Sequence, residues 1–298
     1  MQHLRNFVIP AFILLAAVAM HGCQTLTEVG SEIGVGTGVL TREEADAIQR
    51  SAEDINPEQE YYIGRAVAAT ILSRYEPYMD SDATRYVNMV GQAVAMASDL
   101  PETFRGYRFL ILDSDEINAF AAPGGFVFVT RGLLRLCSNE DELAAVLAHE
   151  VGHVQHQHGL RAIRQGRLTT AFTILAMAGA REYGRDELRQ LTQAFEGSIQ
   201  DITHTLMTSG YSRRLEREAD IAAVTIMKRL GYNPSALIHM LEAMDRNLEP
   251  GRRDFAATHP PPSERIRDIR RVIGDPGKPV APEVRQARFH EALGGVIR

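Results

Sequence analysis

The chain has 298 residues, of which 45% are hydrophobic and 23% are charged, which suits a globular protein with a real core, built as one large domain or two small ones. The formal net charge is −6 and no basic patch is interleaved with aromatic residues, so nucleic acid is excluded as an expected partner. With only two cysteines, the chain also lacks the composition of a disulfide framework.

Residues 1–22 are predicted to be a signal peptide rather than part of the fold. Arg5 supplies a short positive region, and the apolar stretch from Phe7 to Met20 is too short to span a bilayer comfortably. Gly22-Cys23 resembles the lipobox of bacterial lipoproteins, although the two residues before the glycine depart from the usual pattern. We therefore expect lipidation of Cys23. An ordinary cleaved signal peptide is the alternative, and an uncleaved anchor is a weaker one.

The residue after Cys23 indicates where such a lipoprotein would go. Gln24, rather than aspartate, resembles lipoproteins that are sent on to the outer membrane. The predicted location is therefore the bacterial periplasm, with a lipid anchor in the outer membrane. Cys137 would then be unpaired and would pack as a small hydrophobic side chain near the start of a helix.

Residues 23–58 are predicted to form a tether and an N-terminal helix. Glycine, threonine, serine and valine dominate residues 24–40, which is typical of a flexible linker, whereas residues 41–56 are charged and helical in pattern. The main domain is expected to follow, from residue 59 to residue 275.

Two helices, a strand and a strand pair are predicted next. Apolar residues recur at helical spacing from Tyr61 to Arg74 and from Ala83 to Ala97. Arg108–Leu112 is a short strand, and Phe120–Thr130 is interpreted as two strands around the turn sequence Pro123-Gly124-Gly125. The sheet is therefore expected to be small.

Residues 149–153 read H-E-V-G-H inside an apolar, helical run. Residues four apart share one face of a helix, so His149 and His153 can bind one metal ion, and Glu150 can take a proton from activated water. Burying two histidines and a glutamate among apolar residues is costly without such a purpose. Ser138 is predicted to cap the start of this helix, with an acidic residue three positions on.

Beyond this motif the chain continues with His156 and His158, which could suggest a second metal ion. We interpret them instead as polar residues near the end of the helix, off the metal-binding face. The apolar run from Leu168 to Ala180 is too short to cross a membrane and contains threonine and glycine, so a buried helix is predicted there.

A third metal ligand is expected in residues 212–220, because hydrolytic zinc sites use three protein ligands and leave one position open. Glu216 and Asp220 are four apart and share a helix face. Glu216 would bind the metal, and Asp220 would accept a hydrogen bond from the outer ring nitrogen of a ligating histidine, His149 by preference. Glu218 is the competing ligand, and a solvated, charged helix face is the alternative for the whole segment.

The C-terminal part is predicted to contain a helix boundary, a final helix and a tail. Gly231 ends one helix, and Asn233-Pro234 opens the next. Ser263–Ile273 is the last predicted helix. Gly274–Pro282 is interpreted as a linker, so that residues 276–298 form a C-terminal tail.

Four sequence motifs together resemble a known family. They are N-A-F-A-A-P-G-G at 118–125, H-E-V-G-H at 149–153, E-R-E-A-D at 216–220 and T-H-P-P at 258–261. The same motifs occur in this order in the HtpX-like gluzincin metallopeptidases, a family that includes periplasmic lipoproteins. The resemblance covers roughly residues 60–273, which is most of the mature chain.

The resemblance implies one zinc ion per chain, held by His149, His153 and Glu216, with Glu150 as the catalytic base. It also implies an α+β fold that is mostly helical, a zincin-like peptidase domain with a small sheet beside the H-E-x-x-H helix. The long transmembrane segments of the integral members have no counterpart in the sequence. No internal repeat corresponds to the helical repeats that some members append.

In the predicted mechanism, zinc activates a water molecule, Glu150 takes its proton, and the hydroxide attacks a peptide carbonyl. His259 is the preferred donor to the resulting oxyanion, and Arg265 is a weaker one. His259 could instead occupy the open zinc position and hold the enzyme inactive. The sequence leaves both roles of His259 open.

An extended substrate is expected to add a strand to the edge of the small sheet, which would give a broad sequence preference. The residues predicted to bind it are Asn118, Ala119, Phe120 and Ala121. The predicted function is a zinc endopeptidase that acts on misfolded or unassembled proteins of the cell envelope. The alternative is a chaperone-like or binding factor with a structural zinc or a plugged site, although a purely structural site has no need of Glu150.

Overall fold

The computed structural model describes residues 55–163, 197, 199–247, 259–274 and 282–297. The predicted signal peptide, Cys23, most of the predicted tether and the predicted helix at 168–180 lie outside these residues. Asn56–Ile163 and Ile199–Arg298 belong to one compact unit, which contains the sheet and the helices around it.

Helices predominate in this unit. In chain order they are α1 (Pro57–Leu72), α2 (Ser81–Met96), α3 (Arg131–Leu134), α4 (Glu140–Gln155), α5 (His158–Ile163), α6 (Arg213–Leu230), α7 (Ser235–Asn247), α8 (Pro262–Ile273) and α9 (Glu283–Leu293). The strands are β1 (Arg108–Leu112), β2 (Ala119–Ala122) and β3 (Phe126–Thr130). A 3-10 turn spans Pro123–Gly125, and a π-helical turn spans Thr205–Ser209. The predicted α+β class, mostly helical with a small sheet, is confirmed.

The strands of the described residues form a single sheet in the order β1-β3-β2, with β1 parallel and β2 antiparallel to β3. β2 therefore lies at an edge of the sheet. The turn between β2 and β3 has a φ of 71° at Gly124 and of 90° at Gly125, angles that glycine adopts readily and other residues rarely do. The strands predicted at 108–112 and on either side of this turn are confirmed.

Helix α4 runs through the middle of the unit, and each of its residues from Glu140 to Val154 is buried. It packs against α2, α6, α7 and the sheet. Helix α6 approaches α4 closely at Gly152, where an added Cβ would lie 2.9 Å from the carbonyl oxygen of Ala219. The glycine inside the H-E-V-G-H sequence therefore allows the carboxylate-bearing helix to lie against the histidine-bearing one.

The start of α4 differs from the prediction, because Asn139 and not Ser138 is the N-cap. The Asn139 side chain accepts a hydrogen bond of 3.0 Å from the backbone N–H of Glu142. Glu142 in turn accepts one of 2.7 Å from the backbone N–H of Ser138. Asparagine caps as well as serine does, and the longer glutamate side chain three residues after Asn139 completes the reciprocal pair.

A buried carboxylate ties the start of α4 to the last helix. Glu140 is fully buried and accepts hydrogen bonds from the hydroxyl of Tyr86 at 2.8 Å, from that of Tyr232 at 2.7 Å, and from the guanidinium of Arg288 on α9. Burial opposes ionisation of Glu140, but these three partners outweigh it and lower the pKa of the carboxyl. The first turn of α4 is therefore held in part by Arg288, a residue that lies far along the chain.

The segment predicted as a C-terminal tail contains α9, which packs on the core. Phe289 and Leu293 are fully buried, and Arg285 pairs with Asp141 on α4 at 2.8 Å. Residues 282–297 are therefore part of the domain rather than an appendage to it.

The helix predictions near the sheet and in the C-terminal half are confirmed to within a few residues by α1, α2 and α8. The predicted boundary at Gly231 is also present: α6 ends at Leu230, Gly231 has a φ of 70°, and α7 begins at Ser235. Across the described residues, none of the helices combines the length and the hydropathy that crossing a membrane requires.

Candidate metal centre

Two helices and one loop bring four potential metal ligands together. His149 and His153 lie one turn apart on α4, and Glu216 lies in the first turn of α6. His259, just before α8, completes the cluster, and the four ligand atoms all lie within 4.8 Å of one another. All four residues are buried, and they form the one such group among the described residues.

The ligand atoms face one another at the separations that a bound ion imposes. The Nε2 atoms of His149 and His153 are 3.1 Å apart, and each lies 3.5 Å from an oxygen of Glu216. The Nε2 atom of His259 lies 3.7 Å from Oε1 of the same carboxylate. In a tetrahedral site with bonds of about 2.0 to 2.2 Å, neighbouring ligand atoms are about 3.4 Å apart. The observed spacing therefore fits one ion.

The environment of the Glu216 carboxylate indicates whether the cluster suits a cation. Both of its oxygens are buried, and neither has a hydrogen-bond partner among the described residues. A carboxylate in this state is costly unless a positive partner satisfies it. A metal ion between Glu216 and the ring nitrogens would satisfy the carboxylate and the imidazoles together. The residues present thus fit a metal ion, and two imidazoles with one carboxylate are a donor set that zinc accepts.

The histidines differ in the charge that they favour. Burial lowers the pKa of His153 well below its ordinary value, and it lowers the pKa of His259 to about 3 although Glu216 is close. Burial and Arg265 act in the same direction on His149, but the carboxylates of Asp220 and Glu216 outweigh them and raise its pKa to about 9. The surroundings of His149 therefore favour a positive charge, and a metal ion provides one.

Glu150 is buried beside the cluster, and its Oε1 has no hydrogen-bond partner among the described residues. Burial raises the pKa of this carboxyl, the nearby charge of Glu216 adds to the effect, and the result is about 7 although His149 and Arg265 oppose it. A carboxyl with a pKa near neutrality can accept and release a proton at working pH.

Asp220 makes the contact that the sequence predicts for it. Its Oδ1 lies 3.0 Å from Nδ1 of His149, the ring nitrogen that faces away from Glu216. Arg265 on α8 donates to the same carboxylate from Nε at 3.0 Å and from Nη2 at 2.6 Å. Burial opposes the charge on Asp220, but Arg265 and His149 hold its pKa well below its usual range. The ring of His149 is thus fixed by a buried ion pair between α6 and α8.

As predicted, His158 is not part of the ligand cluster, but it is completely buried against the far side of the His153 ring rather than being a polar residue at the end of α4. Nδ1 of His158 is 2.9 Å from Nδ1 of His153, and its Nε2 is 3.2 Å from Oε2 of Glu218. The sequence argument assumed one continuous helix, whereas α4 ends at Gln155 and the chain turns before α5. Glu218, the competing candidate for the third ligand, is instead bonded to His158 and, at 2.8 Å, to Arg161.

Tyr211 is a further neighbour of the cluster that no sequence pattern marked. Its ring stacks on that of His153, with 4.4 Å between centroids and 19° between planes. The hydroxyl is buried and has no hydrogen-bond partner among the described residues. Tyr211 follows the π-helical turn and precedes α6, and a single aromatic residue before a helix has no spacing that would reveal its role.

The predicted substrate-binding residues lie at the sheet edge, in or just before β2. Asn118 is fixed there, because its backbone N–H donates to Oγ1 of Thr130 at 3.1 Å. The four residues Asn118, Ala119, Phe120 and Ala121 are all buried. The Thr205–Ser209 turn lies beside this strand. Two other predicted motif residues, Cys23 and Thr258, lie outside the described residues.

Comparison with known proteins identifies similar sequences. The family described as Peptidase family M48 matches residues 81–273. The beta-barrel assembly-enhancing protease of Escherichia coli (strain K12) is 28% identical over 189 residues, which are 63% of this chain and 38% of that protein. The mitochondrial metalloendopeptidase OMA1 of Schizosaccharomyces pombe is 31% identical over 205 residues, 67% of this chain and 54% of that protein.

A third similar protein has nearly the same extent as this chain. The metalloprotease YcaL of Escherichia coli (strain K12) is 25% identical over 271 residues, which are 90% of this chain and 97% of that protein. In contrast, the chain spans less than half the length of the beta-barrel assembly-enhancing proteases that it matches.

Replacing Asp220 by asparagine should destabilise the metal-free protein, because Arg265 would stay buried without its charged partner. Loss of one member of a buried ion pair costs about 3 to 5 kcal/mol. The pKa of Asp220 is lowered by folding, so its contribution is complete above about pH 5 and is lost as the pH falls through the lowered pKa. Urea unfolding with a chelator should therefore show a large difference at pH 7 that shrinks toward pH 2.

The matched control is Asp82→Asn. Asp82 pairs with Arg85 at the surface, where the two side chains are 74% and 75% exposed, and such pairs contribute about 1 kcal/mol or less. If Asp220→Asn were as mild as this control at pH 7, the ion pair with Arg265 would not be holding α6 and α8 together.

Proposed function

The chain belongs to peptidase family M48 and is a metallopeptidase, and we propose that it is a zinc-dependent endopeptidase acting on misfolded or unassembled proteins of the bacterial envelope. One observation carries this proposal. The buried carboxylate of Glu216, without a hydrogen-bond partner, faces two histidines of an H-E-x-x-H helix at 3.5 Å. That arrangement is the ligand set of a hydrolytic zinc site.

His149, His153 and Glu216 are proposed to hold the metal, one ion per chain. When bound there, zinc supplies Lewis acidity for attack of water on a peptide carbonyl. Glu150 accepts the proton of the attacking water and later donates it to the leaving nitrogen. The position of Glu150 supports this role, because the carboxyl is buried beside the proposed ligands and its Oε1 has no hydrogen-bond partner among the described residues.

His259 is proposed to be an inhibitory fourth ligand rather than an oxyanion donor. Its Nε2 belongs to the cluster of ligand atoms, 3.7 Å from Glu216 Oε1. Burial keeps the ring neutral, with a pKa of about 3, and a neutral imidazole is the form that binds metals. Pro260, Pro261 and Pro262 follow directly and stiffen the chain on this side of the histidine. A ligand in this position would fill the site that water needs.

Arg265, the weaker candidate for oxyanion donor, is proposed to act through Asp220 instead. Two of its guanidinium nitrogens already donate to that carboxylate, and its Nη1 lies 3.5 Å from Oε2 of Glu216. A guanidinium committed in this way orients His149 and supplies positive charge beside the ligands. It would leave stabilisation of the oxyanion to zinc itself.

The outer edge of β2 is proposed to dock the backbone of an extended substrate, through Asn118, Ala119, Phe120 and Ala121. β2 is an edge strand, and a peptide added to it would pair through main-chain hydrogen bonds, with little dependence on side chains. The residues of β2 are buried as the structure stands. Together with a plugged metal site, this favours an enzyme that stays restrained until a substrate engages it.

The substrates are proposed to be unassembled outer-membrane proteins, and the enzyme is proposed to be anchored by lipid at Cys23 on the periplasmic side of that membrane. A relative at 28% identity is named beta-barrel assembly-enhancing protease, which supports the substrate class. The lipobox-like Gly22-Cys23 followed by Gln24 supports the anchor.

Glu150→Gln should retain zinc and abolish casein hydrolysis by the purified chain, because the amide keeps the shape of the side chain but cannot take a proton. General bases contribute on the order of 100-fold or more to the rate. The substitution should be assayed in the wild-type chain and in His259→Ala, so that low activity of a plugged enzyme does not hide the effect. Chelator-sensitive hydrolysis that persisted in both Gln variants would rule out Glu150 as the base.

His259→Ala should raise peptidase activity, because it removes the ligand that competes with water while three ligands still hold zinc. The gain is roughly tenfold if about nine tenths of the molecules are plugged. The control variant is His204→Ala, because His204 is an exposed histidine that lies directly before the Thr205–Ser209 turn. A fall of about 100-fold with zinc retained would instead assign His259 to the oxyanion. Unchanged activity would make it a bystander.

Cys23→Ser should convert a membrane-bound, acylated protein into an unacylated precursor or a soluble form. Mass spectrometry of the mature N-terminus and fractionation of the cell envelope measure the two consequences. Cys137→Ser is the matched control, because Cys137 is buried and should not affect acylation. An unmodified mature N-terminus at another residue would contradict the lipid anchor.

A further inference from the structure

The chain between α4 and α5 contains a local strain that places His158. Gln157 has a φ of 52°, and it is the one residue other than glycine with positive φ among the described residues. This conformation is unfavourable for a side chain larger than hydrogen. Had α4 continued as a regular helix, residues five apart would be rotated by about 140° from each other. His158 would then have faced away from His153.

Two contacts hold the chain in this conformation. The Gln157 side chain donates a hydrogen bond of 3.0 Å to Oε2 of Glu60 on α1. Gly159, two residues later, packs so closely on Pro123 that an added Cβ would lie 3.1 Å from its Cγ. Contacts with α1 and with the β2–β3 turn therefore hold the interruption between α4 and α5 in place. As a result, the His158 side chain is completely buried, and its Nδ1 contacts Nδ1 of His153.

The two hydrogen bonds of His158 determine which nitrogen of His153 carries a proton. Glu218, when ionised, can only accept, so the proton of the neutral His158 ring lies on Nε2, 3.2 Å from Glu218 Oε2. Nδ1 of His158 must then accept the hydrogen bond of 2.9 Å from Nδ1 of His153. His153 in turn carries its proton on Nδ1. Its Nε2 then carries a lone pair, and this atom lies 3.1 Å from Nε2 of His149 and 3.5 Å from Oε1 of Glu216.

We propose that His158 and Glu218 are positioning residues that fix the tautomer and ring orientation of His153 for metal binding. Glu218 is itself held by Arg161 at 2.8 Å and Arg214 at 3.4 Å, so the series of contacts continues from the site to the surface. It does for His153 what Asp220 does for His149. This inference rests on the proposed metal site, and it gives roles to His158, which lies outside the four motifs, and to Glu218, which lies between Glu216 and Asp220.

Three variants of the full chain test the proposal. His158→Phe keeps a flat ring but removes the acceptor. His158→Asn restores an acceptor, because the amide oxygen takes the position of Nδ1. His156→Gln is the matched control, since His156 stacks on His158 and touches none of the proposed ligands. Thermal unfolding of the metal-free proteins establishes that each variant folds.

Two measurements are made on each variant. Competition with a chromophoric chelator gives the affinity for zinc, and ring 15N chemical shifts of His153 in the metal-free protein report its tautomer. We expect His158→Phe to weaken zinc binding by about 10- to 100-fold and to allow protonation of His153 on Nε2. His158→Asn should recover most of the affinity, and His156→Gln should match the wild type in both measurements.

The outcomes separate this proposal from the function proposed above. Wild-type affinity in a folded His158→Phe, or protonation of His153 on Nε2 in the metal-free wild type, overturns the role of His158. A wild-type chain that binds no zinc overturns the proposed function instead. In that case the 15N shifts of His153 still decide whether His158 fixes its tautomer.

Discussion

Ionised and ionisable groups buried against one another organise this domain. Glu216 is only 1% exposed and has no hydrogen-bond partner among the described residues, in a centre that also contains three histidines, Glu150 and Arg265. Burying a charged group costs free energy unless an opposite charge or a hydrogen bond compensates for the lost contact with water. Helix packing follows from this balance, because Gly152 lets α6 lie against α4 and the Asp220–Arg265 pair draws α8 onto α6. The position of α8 in turn places His259 at the fourth corner of the cluster.

His149 and His153, the two histidines of α4, are supported in different ways. His149 has a buried ion pair behind it, in which Asp220 and Arg265 are both completely or nearly completely buried. His153 has a second imidazole behind it, and the contacts continue to Glu218, which is 30% exposed in its side chain. The support behind His149 is a pair of opposite charges that is almost completely buried. The support behind His153 carries less charge and is partly exposed at Glu218, so a continuous series of contacts joins His153 to the surface near Arg161 and Arg214.

Much of the site was predictable because its chemistry repeats with helical period. His149 and His153 are four apart, as are Glu216 and Asp220, and both pairs lie on helices that the sequence indicates clearly. The short strands and the Gly124-Gly125 turn were likewise marked by composition. The contact of His158 with His153 was not predictable, because it depends on the positive φ at Gln157. A sequence pattern of helical spacing gives no sign of that conformation. Tyr211 and the N-cap shift from Ser138 to Asn139 depend on three-dimensional packing and on side-chain length.

The contact between α4 and α9 determines when this part of the domain can fold during synthesis. Glu140 and Arg288 are 148 positions apart, and Glu140 is completely buried around that contact. Ribosomes synthesise a polypeptide in order from its N-terminus, so the first turn of the helix that carries H-E-V-G-H emerges long before the guanidinium of Arg288. Until Arg288 arrives, Glu140 has no cation to bury against. The first turn of α4 can therefore reach its final set of contacts only after residue 288 has been synthesised, so this part of the domain is completed late in synthesis.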